Sequence, residues 1–400
     1  MGGGGSRPNR TVSVRLVAVL LPRSAAAKAI GEAWDAGDAV AVLDPAAPRA
    51  VVEATLGRLR PTHVVDEDGR RARPGGVPPS AEVGAVVLTS GTTGTPKAVE
   101  LKTSGLAVVG AGANAALEVT PTDRWLVCLP LHHVAGLAIL ARARVGGQPV
   151  VVHDGFDAEA VAAAPRAVGA TLVSVVPTML ARLLDRGAPL HEYRRIVVGG
   201  ARFPPALRAR AEAAGAQVVD AYGLSETGGG VVFDGWPVPG AAVDLTDDGE
   251  IAIRGSMVMR GYRGDPDATA AVLGEDGWFH TGDVGQRDDD GAIRLVDRRR
   301  DLVITGGVNV SPTAVEGVLV DHPEIADVCV AGTPDEQWGE RVVAFVVPRP
   351  GAAAPSVDAL RDFARARLRA AELPRQVVVV DAIPRSPSGK VHRRSLPTPS

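Results

Sequence analysis

Residues 89–97 read Thr-Ser-Gly-Thr-Thr-Gly-Thr-Pro-Lys, and an apolar run ending at Thr89 leads the chain directly into them. Glycines let a backbone approach an anion closely, hydroxyls and N–H groups donate to it, and a terminal lysine adds a mobile cation. The stretch therefore reads as a phosphate cradle following a buried strand. It is not a Walker A loop, because Pro96 stands where that motif has glycine and Ala98, not Ser or Thr, follows the lysine. A plain Ser/Thr/Gly loop is the bland alternative, and nine consecutive residues of this kind after a strand argue against it.

The rest of the chain alternates short apolar runs with Ala-rich helical stretches, an α/β rhythm. Strands are expected at Leu16–Leu21, Ala39–Leu43, Ala85–Thr89, Trp125–Leu129, Val150–His153, Thr171–Val176, Arg195–Val198 and Gln217–Ala221. Helices are expected from about Ser24 to Ala36, through Arg58, from Ala135, near Ala158–Ala164, from Thr178 and from Pro205. Runs such as Val150–Val152 and Arg195–Gly200 look apolar on both faces, as buried parallel strands are. After Gly240 the rhythm changes, and Gly249–Arg254 and Gly291–Val296 read as antiparallel hairpins behind acidic turns. The charged stretch Asp297–Asp301 then precedes a smaller α+β tail, which places the domain boundary at 297/298.

Composition narrows the function classes. Four hundred residues exceed one ordinary core. A formal net charge of −3 without a long basic block disfavours nucleic-acid or anionic-membrane binding. No apolar run approaches the ~18 residues of a membrane span. The Gly-rich start reads as a floppy lead and Val12–Leu21 as a strand rather than a signal peptide. The two cysteines, Cys128 and Cys329, are far apart and read as buried reduced thiols of a cytoplasmic protein. Of 43 basic residues only Lys28, Lys97, Lys102 and Lys390 are lysines, so a retained lysine can mark a place where arginine does not serve. Two of the four sit in Gly-rich motifs.

The loop at 89–97 resembles the signature of the ANL superfamily of adenylate-forming enzymes, the acyl-CoA synthetases, luciferases and peptide-synthetase adenylation domains. Further segments resemble that family's motifs in the same order: Asp220–Thr227, Gly249–Gly255, Trp278–Asp283, Asp297–Asp301 with Gly306–Asn309, and Pro384–Lys390. The resemblance runs from about residue 38 to 393. It implies an α/β fold with a large N-terminal domain (1–297) of α/β subdomains plus a β-rich part. A small mobile α+β C-terminal lid (298–400) would pivot near Arg300. It also implies a chemistry in which a carboxylate attacks the α-phosphorus of ATP and the acyl-adenylate passes to a thiol. Both reactants being anions, the site must neutralise charge and hold them in line.

Carried over residue by residue, the resemblance makes Lys390 the cation bridging substrate carboxylate and α-phosphate. Chemistry would rest on it with Glu226 and His133. Thr89, Ser90, Gly91, Thr92, Thr93, Gly94 and Lys97 would grip the phosphates, and Glu226 would hold Mg²⁺. Tyr222, followed by Gly223 and Ser225, would stack on adenine opposite the Gly199–Gly200–Ala201 backbone; a core tyrosine is the alternative. Asp283 would take the ribose hydroxyls, with a plain turn aspartate as the alternative, and Arg298 would reach ribose or phosphate. Gly306 and Gly307 would border the thiol channel near the Arg300 hinge. The substrates implied are ATP, coenzyme A and a small carboxylic acid, with Mg²⁺, and the resemblance allows a homo-oligomer. Ala98 departs from the family's usual glycine, which a methyl tolerates if φ is negative. About 88 residues precede the loop, fewer than in most relatives.

For the acid, Leu129–Leu137 lies where the family has an aromatic gate. Together with Leu140–Ala143 and Val176–Thr178, this segment most resembles the o-succinylbenzoate–CoA ligases of menaquinone biosynthesis. A second carboxylate would need a cationic or hydrogen-bonding wall, for which His133 comes first, then Arg142, Thr178 and Arg202, with Gly199 lining the same pocket. His132 and His133 could instead be satisfied core imidazoles. Another aryl- or acyl-CoA synthetase and a stand-alone adenylation domain loading a carrier protein remain open. The chain ends about ten residues after Lys390, so any carrier would be loaded in trans. A non-catalytic nucleotide-binding protein is disfavoured by the presence of Lys390, Asp283 and Glu226.

Overall fold

The computed structural model describes residues 14–89, 96–298, 301–385 and 391–399, without the side chains of 298 and 394. Four sheets organise it. The first runs in the order Gly261–Tyr262, Lys97–Lys102, Val83–Thr89, Ala39–Val42, Leu16–Val19, His63–Asp66, Gly69–Ala72. Its centre is parallel and its edges antiparallel. The second runs Trp236–Pro237, Gly229–Phe233, Val218–Leu224, Arg195–Gly199, Leu172–Val175, Trp125–Val127, Val150–Val152. From Val218–Leu224 to Val150–Val152 all pairings are parallel.

The third sheet is an antiparallel meander of Ala242–Leu245, Glu250–Arg254, Phe279–Arg287 and Ile293–Arg298. A fourth, from Val303–Thr305 to Gln376–Val379, carries helices Pro312–Leu319 and Val357–Ala364. The change of sheet thus falls between Arg298 and Val303. One buried apolar cluster, including Val17, Val99, Trp125, Leu137, Ile253 and Phe279, ties the first three sheets together, while the fourth builds its own core around Val303, Leu319, Val342 and Leu360. Both cysteines are buried free thiols, and burial pushes each up to about 12.

The structure adds elements where the sequence pattern is silent. Helix Thr103–Ala116 contains three glycines, a composition poor in helix propensity. They are there for close packing: a Cβ on Gly105 would stand 2.7 Å from the Ser256 carbonyl, and one on Gly112 2.9 Å from Val238. The polar stretch after Asp66 folds into the edge hairpin His63–Asp66/Gly69–Ala72, whose outer strand is exposed throughout. Val150–Val152 is a correction. It is parallel, but it sits at the sheet edge with all three valines partly exposed, not buried on both faces. Among the described residues no helix is long and apolar enough to cross a membrane.

A polar knot around a buried carboxylate ties together the amino ends of three neighbouring strands of the second sheet, Trp125–Val127, Leu172–Val175 and Arg195–Gly199. The Asp123 carboxylate accepts from Arg194 Nη2 (2.6 Å) and Nε (2.8 Å), from Thr171 Oγ1 (2.7 Å) and from the Thr120 amide (2.7 Å). Burial would raise this carboxyl, but the Arg194 guanidinium and the threonine donors outweigh it and bring it down to about 2. A carboxyl depressed in the folded state stabilises above its unfolded value, and that stability fades as pH falls through 3.8 toward about 2. Asp123→Ala should therefore cost roughly 2–4 kcal/mol near neutrality by stripping Arg194 of its partner. In urea titrations the gap from wild type should close as pH falls toward that value; a gap independent of pH would refute the assignment.

Candidate active site

The carboxyl ends of the parallel strands of the second sheet lie along one side of it, and the crevice outside such strand ends is the place where α/β sheets receive ligands. Trp125–Val127 leads to Leu129–His133, Leu172–Val175 to Val176–Thr178, Arg195–Gly199 to Gly200–Arg202, and Val218–Leu224 to Ser225–Glu226. The hairpin Val83–Thr89/Lys97–Lys102 of the first sheet faces it, with Thr89 paired to Lys97 across the loop. Ser90, Gly91, Thr92, Thr93 and Gly94, the heart of the cradle, lie outside the described residues, as do Arg300 and Lys390 and the Arg298 side chain. Ala98 extends as strand and is not among the described non-glycine residues with positive φ, so its methyl adds no backbone strain. Arg58, at the end of helix Arg49–Leu59, donates to the Pro96 carbonyl and steadies the loop's far side.

Tyr222 and Asp283 come from different sheets and meet: the phenol Oη donates to Asp283 Oδ2 at 3.0 Å. A bulge between Tyr222 and Gly223 re-aims the strand here, and at Gly223 no side chain fits, since a Cβ would lie 2.0 Å from the Gly229 carbonyl. Asp283 is 2% exposed. Its stretch of strand Phe279–Arg287 is held by Thr281 Oγ1, which donates to the Ile251 carbonyl (2.7 Å) and accepts from the Asp283 amide (3.1 Å), and by the Gly282 amide donating to Glu250 Oε1 (2.7 Å). Upstream of Tyr222, burial and the neighbouring Asp234 push Asp220 up to about 6.

Glu226 lies in the turn Ser225–Thr227, locked by fully buried Thr227, whose hydroxyl accepts from the Leu224 amide at 3.0 Å. Glu226 Oε1 accepts from Tyr262 Oη at 2.9 Å, and Lys97 Nζ lies 4.5 Å from the centroid of the same ring. Lys97 and Glu226, 129 positions apart in sequence, are thus brought together by a residue that pattern reading passed over. A signal was available: the chain has only three tyrosines, and two of them carry their hydroxyls to this site. Among the described residues no three His, Cys, Asp or Glu cluster as a metal cage. A single carboxylate at the crevice fits Mg²⁺, which takes one or two protein carboxylates and completes its shell with phosphate oxygens and water.

The candidate acid-binding residues divide. His133 precedes helix Val134–Gly146, its ring centroid 4.5 Å from that of His132, and Thr178 is exposed at the start of helix Pro177–Asp185. Burial lowers the His132 pKa. Gly200 takes φ +77° beside Gly199 and exposed Ala201. Arg202 instead reaches across to the Thr313 carbonyl. Arg142 stands apart in the core, 4% exposed, 5.6 Å from both the Trp125 and Phe233 rings and 3.5 Å from Ser174 Oγ. Burial brings it down to about 10. Gly306 and Gly307 form the left-handed tip of hairpin Val303–Val310, with Gly306 packed on Trp338, whose ring stacks on Arg375 at 3.9 Å.

The AMP-binding enzyme family matches residues 12–263, and the AMP-binding enzyme C-terminal domain matches 314–390. A probable 2-succinylbenzoate–CoA ligase of Mycobacterium tuberculosis is 36% identical, with 90% of this chain and 96% of that one covered. The 2-succinylbenzoate–CoA ligase of Geobacillus kaustophilus is also 36% identical, over 79% of this chain and 69% of its own. Among solved structures, o-succinylbenzoate CoA synthetase of Bacillus subtilis, in complex with its acyl-adenylate intermediate, superposes with a TM-score of 0.85. It is 27% identical, with 98% of this chain and 90% of that one covered.

Proposed function

The chain belongs to the AMP-binding enzyme family, and we propose that within it the protein is an ATP-dependent o-succinylbenzoate–CoA ligase of menaquinone biosynthesis, acting in the cytoplasm. The observation that carries the reading is the convergence, on one crevice, of a lysine and a glutamate joined through Tyr262 and of the Tyr222–Asp283 pair. Relatives of that activity spanning nearly the whole chain support the choice of acid.

In this reading Lys97 and the 89–94 loop hold the triphosphate, and Glu226 holds the Mg²⁺ that screens its charge. Tyr222 stacks on adenine against Gly200–Ala201, with Gly223 and Ser225 completing the wall, and Asp283 with Arg298 holds the ribose. Lys390 brings its ammonium to the reacting carboxylate and the α-phosphate, where negative charge gathers in the transition state. His133 and Thr178 face the acid. The segment from 298 to 400 acts as a lid turning about Arg300, which presents Lys390 for adenylation and Gly306–Gly307 for entry of the CoA thiol.

The test is pyrophosphate release from ATP and Mg²⁺ with o-succinylbenzoate, followed by mass-spectrometric detection of the CoA thioester. The preference over benzoate in kcat/KM should reach about 10–100-fold, the worth of one satisfied contact to a second carboxylate. Turnover of benzoates or fatty acids without o-succinylbenzoate would overturn the choice of acid. Adenylate formation followed by transfer only to a carrier-bound phosphopantetheine would overturn the CoA half.

A further inference from the structure

Lys97 and Glu226 stand on different sheets, and neither sheet by itself fixes the gap between them. Lys97 opens strand Lys97–Lys102 of the first sheet, whereas Glu226 lies in the turn after strand Val218–Leu224 of the second. The two-residue strand Gly261–Tyr262 spans that gap. It pairs with the lysine's own strand, Tyr262 opposite Val99, and its amide donates to Thr269 Oγ1 at 2.9 Å. Just upstream, the Met259 amide donates to the Glu226 carbonyl at 2.7 Å, so one short segment holds both flanks. Tyr262 is 9% exposed, and its ring and hydroxyl face opposite charges. Among the described residues neither Lys97 nor Glu226 takes an ion-pair partner of its own.

An ammonium and a carboxylate this close to a common side chain, in a partly buried crevice, would pair if nothing intervened. Such a pair would neutralise the two groups that a magnesium–triphosphate needs. An aromatic face satisfies a cation without cancelling its charge, and a phenol donor satisfies a carboxylate in the same way. We propose that Tyr262 is a positioning residue that keeps Lys97 and Glu226 apart, each charged and available to the nucleotide. The proposal rests on the reading of those two residues as triphosphate and magnesium holders.

Calorimetric binding of ATP, with and without Mg²⁺ and with neither acid nor CoA present, tests it in the full chain. Tyr262→Phe keeps the ring and loses the hydroxyl. It should raise the magnesium needed for half-maximal ATP binding about tenfold, while Mg²⁺-free ATP binding stays at the wild-type level. Tyr262→Leu removes both supports and should weaken ATP binding under both conditions, as Lys97 closes on Glu226. Adding Glu226→Gln to Tyr262→Leu should then restore Mg²⁺-free ATP binding, a rescue that a purely packing role for the ring would not give. An unchanged magnesium dependence in Tyr262→Phe, or no rescue in the double variant, overturns the proposal. Should Tyr262→Leu not fold, as thermal denaturation would reveal, the phenylalanine variant still decides. If Glu226→Gln alone leaves magnesium dependence unchanged, the underlying reading of Glu226 fails and the proposal falls with it. If that variant shifts and Tyr262→Phe does not, only the proposal falls.

Discussion

Lys390→Ala is expected to slow pyrophosphate release from acid and ATP by about two to three orders of magnitude, the cost of removing one preorganised charge contact from a transition state. Consumption of a supplied acyl-adenylate by CoA should remain within a few-fold of wild type, because that step no longer brings two anions together. Lys390 itself lies outside the described residues, but the chain on either side of it is firmly seated. Before it, Arg385 pairs with Asp327 at 2.9 Å and bridges in β fashion to Val391. After it, Arg393 donates to Glu316 Oε1 at 2.7 Å and to the Val330 carbonyl at 3.0 Å. Two arginine anchors therefore stand on either side of the lysine in the chain. Equal loss of both half-reactions would show that Lys390 supports the fold or both steps alike, and would sink the assignment. Lys390→Arg should recover little, because a guanidinium places its charge differently from a compact ammonium.

What the sequence made legible follows from what is local. The 89–97 loop and the apolar parallel strands announce themselves because their chemistry lies within a few consecutive residues. Helix Thr103–Ala116 does not, because two of its three glycines answer to Ser256 and Val238, partners more than a hundred positions away. Tyr262 stays silent for the same reason: it matters through Lys97 and Glu226, which only the meeting of two sheets brings near it. Arg142 shows the same limit: offered by the sequence as a cation for the pocket wall, it has a guanidinium buried 5.6 Å from both the Trp125 and Phe233 rings, neighbours that the sequence does not reveal. Lysine scarcity is a partial guide as well. Lys97 lies at the crevice, whereas Lys28 is an exposed helix residue 3.9 Å from Glu32, a place arginine could also fill.

Asp283→Asn should lower kcat/KM for ATP by roughly two orders of magnitude, since hydrogen bonds to a charged acceptor are each worth about 1.5–3 kcal/mol and the ribose offers two hydroxyls. The diagnostic is selectivity: wild type should discriminate against 2′-deoxy- and 3′-deoxy-ATP, and Asp283→Asn should lose most of that discrimination. The geometry sharpens the expectation. The carboxylate is 2% exposed and already accepts from Tyr222 Oη at 3.0 Å, so a nucleotide has to share or displace that bond as its base reaches the tyrosine ring. Tyr222→Phe, which removes the donor and keeps the ring, should therefore preserve discrimination among the deoxynucleotides while changing ATP binding only several-fold. A thermal midpoint measured on each variant separates this from damage to the strand at Thr281–Asp283, which the Glu250 and Ile251 contacts hold independently of the carboxylate. Retained discrimination in Asp283→Asn would mean that the buried carboxylate serves the tyrosine and the strand alone, and that the ribose is held elsewhere.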